Sequence, residues 1–311
     1  MMKRVRVMKE QQPFHWTGRI DDPQLVAHRR VHQAIRDEGL FALMGFNCDE
    51  GVRRNAGRLG AKDGPKAIRE ALSSMPWRTI DGLFIQDVGD IECEGTDMEA
   101  AQQTLGNEVE KAFEQGKMPI IFGGGHETFY GHYLGVRQYL GADQTIGIIN
   151  IDAHFDLRSY DDQSSSGTMF RQILEQDDHA RYLVLGIQRY GNTEALFQTA
   201  DELGCQYVLE DELRLTDIQQ YIDQFAAKHD ALIVTLCMDV LHQSAAPGVS
   251  APSPFGLSPK TIRHLLRTIM AHPKACSFDV CEVNPSLDID HRTAKLAASF
   301  ALEVMMVKSS S

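Results

Sequence analysis

Short apolar runs punctuate the chain, and several are continuous rather than alternating. Met118-Pro-Ile-Ile-Phe122, Thr145-Ile-Gly-Ile-Ile-Asn-Ile151 and the run from Asp230 to Asp239 are rich in β-branched residues, the pattern of strands buried on both faces of a parallel sheet. Phe41 to Gly45, Leu83 to Ile85, Tyr182 to Leu185, Gln206 to Leu209 and Cys276 to Glu282 are further strand candidates. Helical patterns lie between them near 64–74, 98–115, 127–140, 193–203, 215–228, 258–271 and 291–304, with Ser258-Pro259 and Thr96 to Glu99 as start signals. Strand alternating with helix predicts an α/β fold: a parallel sheet with helices on both faces.

The chain has 311 residues and 43% hydrophobic content. Two domains would fit that length, but α/β units often run as long, and no composition break, linker, low-complexity tract or repeat divides the sequence. A single domain over 1–311 is expected, with residues 1–12 as a flexible start. A formal net charge of −12 argues against nucleic acid as a partner, because phosphate contacts need clustered Lys and Arg. The basic start, Met1 to Lys9, lacks the apolar core of a signal peptide, and no stretch approaches the ~20 apolar residues of a membrane span. A cytoplasmic protein without a membrane partner is the expectation. Six cysteines are scattered without Cys-x-x-Cys pairs, and Cys205, Cys237, Cys276 and Cys281 adjoin or occupy apolar segments, as reduced core cysteines do.

Chemistry concentrates where the apolar runs end. Gly123-Gly-Gly-His126-Glu127 follows one strand candidate, and Asp152-Ala-His154-Phe-Asp156 follows another. In open α/β sheets, sites form at the carboxyl ends of strands. A single Asp-x-His is usually a surface turn, but two such runs directly after strands make coincidence a poor explanation. Cys237-Met-Asp239 and Glu282-Val-Asn-Pro285 close two further strand candidates. Carboxylates with neutral imidazoles suit a divalent ion of intermediate hardness, such as manganese.

These motifs, their order and their spacing resemble the arginase/agmatinase (ureohydrolase) family. That family's Gly-Gly-x-His, Asp-Ala-His-x-Asp, Ser-x-Asp-x-Asp and Glu-x-Asn-Pro read here as Gly124-Gly-His126, Asp152-Ala-His-Phe-Asp156, Cys237-Met-Asp239 and Glu282-Val-Asn-Pro285. Within the family the chain most resembles the formimidoylglutamases, through the run Arg54 to Arg69, Asp87-Val-Gly-Asp90 and Ala246 to Pro252. The resemblance implies a three-layer α/β/α arginase-like fold with an eight-stranded, mostly parallel sheet. It also implies two Mn2+ ions per subunit, with His126 and Asp156 on one, His154 and Asp239 on the other, and Asp152 bridging. The implied reaction is attack of a metal-bridging hydroxide on N-formimidoyl-L-glutamate, releasing formamide and L-glutamate in histidine breakdown. Asp156 would carry the proton to the leaving nitrogen and Glu282 would pair with the cationic end of the substrate. Homo-oligomers are an expectation of the same kind.

Two positions depart from the family pattern. Cys237 stands where a second bridging Asp is usual; it is read either as a thiolate ligand, softer than manganese prefers, or as a buried structural cysteine. Ser166-Gly-Thr168 lacks the following His of the arginase Ser-Gly-Asn-x-His loop. For the substrate carboxylates, Arg158 and Ser166 are the first candidates, because Arg reads carboxylates bidentately. Arg54, Asn55 and Arg58 form a second polar cluster that a turn before a helix explains equally well. The remaining histidines, His132 and His242 among them, are read as solvated, capping or loop residues. Two other functions stay open: an agmatinase or other guanidino-compound hydrolase, and a catalytically silent binding relative.

Overall fold

The computed structural model describes residues 14–78 and 83–309; the start expected to be flexible, 1–12, lies outside them. Eight strands form one sheet: β1 Phe41–Asn47, β2 Ile85–Glu92, β3 Met118–Phe122, β4 Ile146–Ile151, β5 Ala180–Ile187, β6 Gln206–Leu209, β7 Ala231–Cys237 and β8 Ala275–Cys281. Their order is β2-β1-β3-β8-β7-β4-β5-β6, and every pairing is parallel. The sheet is therefore parallel throughout rather than mostly so.

Parallel strands need crossovers that cover both faces, and the nine α-helices of the described residues do this. One apolar layer packs α2 Gly64–Ser73, α7 Ile218–Ala226, α8 Pro259–Ala271 and α9 Arg292–Ser309 onto the sheet. The opposite layer packs α3 Met98–Glu114, α4 Thr128–Leu140, α5 Met169–Gln176 and α6 Glu194–Glu202. Three layers result. The start signals act as expected: Ser258 accepts from Thr261 N–H at the head of α8, and Asp97 accepts from Ala100 N–H at the head of α3. Among the described residues, no helix is long and apolar enough to cross a membrane.

Three elements differ from the sequence expectation. Short α1, Glu50–Arg54, and α5 fall where no helix was expected. Strand β2 begins only at Ile85 and continues through the polar stretch to Glu92. It lies at the sheet edge, where a bulge opposite Leu43/Met44 shifts its register, so it needs no continuous apolar run.

What makes β2 viable is a buried ion pair. Arg69 of α2 is 0% exposed; its Nε and Nη2 donate to Asp87 at 3.0 Å each, and its Nη1 donates to Asp90 at 2.6 Å. Trp16 Nε1 adds a bond to Asp87 at 2.7 Å. A fork of this geometry ties the helical layer to the edge strand. Removing one partner leaves buried charge behind. Arg69→Ala should therefore lower unfolding stability by about 3–5 kcal/mol, measured by denaturant titration.

Candidate metal centre

The four central strands, β3, β8, β7 and β4, are neighbours, and their C-terminal ends are in register: Phe122 opposite Val280, Val280 opposite Leu236, Leu236 opposite Ile151. The four motifs thus leave the sheet side by side along one edge. After β3, glycine is required for packing: a Cβ on Gly124 would overlap the carbonyl of Cys48, and one on Gly125 would overlap the Glu127 carboxylate. After β4 the strand does not continue. Asp156 takes a φ of 52° and, after β8, Glu282 a φ of 70°. Non-glycine residues rarely hold such values, which gather at functional sites.

The side chains converge. His126 Nδ1 lies 3.1 Å from Asp152 Oδ2 and 3.0 Å from Asp156 Oδ2. His154 Nδ1 lies 3.2 Å from Asp239 Oδ2 and 3.6 Å from Asp152 Oδ1. Asp152 stands between the imidazoles, one oxygen toward each. Two groups of donor atoms follow, His126 with Asp152 and Cys237, and Asp152 with His154 and Asp239, each within 4.8 Å. Glu282 accepts the backbone N–H of His126 at 3.0 Å. Cys237 is both buried and among the donors, so its two readings meet at one position.

His126, His154, Asp156, Cys237, Asp239 and Glu282 floor a cavity of about 370 Å³. Its exposed rim includes Arg158, Asn55 and Arg58, with Ser166, Asn192 and Ser250 also lining it. Arg158 and Ser166 therefore reach the same space as the carboxylates. Arg58 is otherwise engaged, donating to the carbonyls of Ser250 at 2.8 Å and Val249 at 2.7 Å. Arg54 is turned away, held by Glu50 and Glu99. His242 lies in an exposed loop bonded to Ser244, outside the lining.

Electrostatics mark the centre as a cation site. The ion-pair partners of Asp152, Asp156 and Asp239 are imidazoles rather than Lys or Arg. Asp239 Oδ1 and Glu282 Oε2 are buried with no hydrogen-bond partner among the described residues. Burial, reinforced by the charge of Asp152, pushes Asp156 up to about 6. Burial, then the charges of Glu127 and Asp239, holds Glu282 well above the usual carboxylate range. Burial works against protonated His126, yet bonds to Asp152 and Asp156 outweigh it and hold the ring well above its ordinary value. Buried, crowded carboxylate oxygens with imidazole nitrogens and acceptor atoms left unsatisfied suit divalent ions of intermediate hardness.

Sequence reasoning missed several supports. Asn192 accepts the N–H of Phe155 at 3.0 Å and donates to the carbonyl of Ala153, fixing the loop that carries His154 and Asp156. Buried Glu127 accepts the N–H of Gly51 at 2.9 Å. His132 corrects its solvated or capping reading: it is 0% exposed and bonded to Asp279 and Ser277. Its signal was its place on the apolar face of α4, between Phe129 and Val136.

Glu282 allows a test of the crowding. A carboxylate whose folded pKa is raised contributes its stability below the unfolded pKa and loses it as pH rises through the folded value. In chelator-treated protein at pH 8, Glu282→Gln should melt roughly 2–4 °C above the parent. The gap should close toward pH 4.5, where both side chains are neutral. Calorimetric scans across pH check both the sign and the closure.

Known proteins supply the comparison. The Arginase family matches residues 40–307. A protein named formimidoylglutamase from Geobacillus sp. (strain WCH70) is 52% identical over 304 residues, covering 94% of each chain. One of the same name from Lysinibacillus sphaericus (strain C3-41) is 52% identical over 308 residues, covering 93% of this chain and 94% of that one. The crystal structure of formimidoylglutamase from Bacillus subtilis aligns with a TM-score of 0.83 at 23% identity, covering 95% and 96% of the two chains. Trypanosoma cruzi formiminoglutamase, crystallised with Mn2+, aligns with a TM-score of 0.79 at 25% identity, covering 88% and 95%. Aligned strand ends, a shared central aspartate and this match along most of the sequence agree: the chain belongs to the arginase family.

Proposed function

We propose that this protein is a formimidoylglutamase, a manganese-dependent hydrolase that cleaves N-formimidoyl-L-glutamate to formamide and L-glutamate. The observation that carries the reading is the pairing of a buried carboxylate and imidazole cluster with a cationic rim in one cavity. His126, Asp152 and Asp156 would hold one ion, with Cys237 beside them, and His154, Asp152 and Asp239 the second. Ions bound there would supply Lewis acidity that brings water to hydroxide near neutral pH.

The chain's own groups do the rest. Arg158, exposed at the rim with its backbone tied to Gly167, pairs with a substrate carboxylate, and Ser166 donates to the same end. Glu282, with Oε2 unsatisfied, receives the cationic formimidoyl nitrogen, and the two ends together orient the carbon for attack. Water oxygen bonds to that carbon while its proton passes to an Asp156 oxygen. The same proton reaches the glutamate nitrogen as the C–N bond breaks, and the hydroxyl proton of the tetrahedral carbon follows it, so that formamide and the ammonium form of L-glutamate leave. Asp156 suits the exchange because it lines the cavity beside His126, where its carboxylate reaches the reacting end of the substrate. A guanidino substrate without a carboxylate, such as agmatine, leaves Arg158 and Ser166 unmatched. The reading includes a role in histidine breakdown, a cytoplasmic address consistent with six free cysteines, and self-association.

Formamide release is measured from N-formimidoyl-L-glutamate with and without added Mn2+, with agmatine and arginine in parallel. Mn-stimulated turnover of the formimidoyl compound alone is expected. No turnover of any substrate with any divalent ion would overturn the reading in favour of a silent binding relative. Arg158→Met should raise KM about 10–100-fold with little change in kcat, the loss of one charge-assisted contact. Asp156→Asn should lower kcat by about 10²–10⁴-fold, as loss of a general acid–base does.

A further inference from the structure

Beneath His126 runs a second polar chain that the proposed reaction does not use. His126 Nε2 lies 3.0 Å from Thr235 Oγ1, and Thr235 Oγ1 donates to Asp279 Oδ1 at 2.5 Å. Asp279 Oδ2 lies 2.6 Å from His132 Nδ1, and His132 Nε2 lies 2.7 Å from Ser277 Oγ. Cys281 Sγ also donates to Asp279, at 3.2 Å. All six side chains are buried. The chain crosses from β7 to β8 and into α4, underneath the cavity floor.

We propose that Asp279 and Thr235 are positioning residues that fix which nitrogen of His126 faces the divalent-ion site. The inference rests on the ion-binding reading above. Thr235 Oγ1 donates to Asp279 Oδ1, so the single hydrogen of its hydroxyl is committed there. Thr235 Oγ1 then has only lone pairs left for His126, and Nε2 must carry the hydrogen. In the neutral ring, the form in which an imidazole ligates, that leaves Nδ1, the nitrogen facing Asp152 and Asp156, to offer its lone pair to an ion. His132 holds the far end: its Nδ1–H donates to Asp279, and Ser277 satisfies its other nitrogen. Imidazole ligands commonly have their outer N–H anchored on a carboxylate or carbonyl; here a threonine relays that anchor across two strands.

Two substitutions act on the relay without touching a proposed ligand. Thr235→Val keeps the shape and removes the acceptor, so His126 Nδ1 can hold a hydrogen and donate it to Asp152 or Asp156 in competition with an ion. Asp279→Asn can reverse the relay: its amide donates to Thr235, whose hydroxyl then donates to Nε2 and puts the hydrogen on Nδ1. Thr235→Ser keeps the hydroxyl and is the conservative control.

The experiment is calorimetric titration of chelator-stripped protein with MnCl2, alongside the thermal midpoint of each metal-free variant. Expected is a loss of about 10–100-fold in affinity at one of two sites for Thr235→Val and Asp279→Asn, with Thr235→Ser like the parent. Parent-like Mn2+ binding by Thr235→Val, with only its metal-free midpoint lowered, would reduce the chain to a structural role and overturn the inference while leaving the ion site intact. A parent that binds no Mn2+ would overturn the ion reading and the inference with it. If Thr235→Val does not fold, the comparison of Asp279→Asn with Thr235→Ser decides the matter by the same readout.

Discussion

Like charges held close in a dry place are the constraint on which this molecule is arranged. Asp156, Asp239 and Glu282 share the floor of one cavity, Asp152 is buried beside them, and imidazoles are the near cationic partners of the three aspartates. Buried carboxylates in such numbers oppose folding. The fold tolerates them because they sit on loops whose positions are set by strands buried on both faces, and because divalent charge suits the space between them.

Rigidity at the sheet edge follows from that constraint. Gly124 lets the loop that carries His126 pass against the Cys48 carbonyl, and left-handed conformations at Asp156 and Glu282 aim carboxylates that an extended chain would point elsewhere. Each such position is unfavourable alone, so each is over-determined by neighbours: Asn192 under the Asp156 loop, and the His126 amide on Glu282. Arg69 does comparable work at the other side of the sheet, where it binds the polar edge strand to the helices.

Much of this was legible in the sequence, and what was not has identifiable causes. Strands β3, β4 and β7 announce themselves because burial on both faces demands continuous apolar residues. Strand β2 does not, since an edge strand paired through Arg69 can carry Asp87 and Asp90. The residues that gather on the cavity floor stand directly after strands, and that adjacency made them readable. Thr235, Asp279 and His132 were not readable as a unit, because only strand order sets β7 beside β8 and α4 above both. A charged residue inside the apolar run of β8 was the one available hint. Helix α5 was hidden by its shortness and by the polar loop before it.

Strand order carries a last consequence, for the order in which the molecule can be assembled. Strand β8 is the last to be synthesised, yet it lies in the middle of the sheet, between β3 and β7. Until it inserts, β2-β1-β3 and β7-β4-β5-β6 are two separate half-sheets with no strand pairing between them. His126 belongs to one half and Asp152, His154 and Asp239 to the other. The centre is therefore assembled late, by contacts between segments far apart in the chain, which are the slow ones to form. A nascent chain short of β8 carries all the residues of both donor groups and still has no centre.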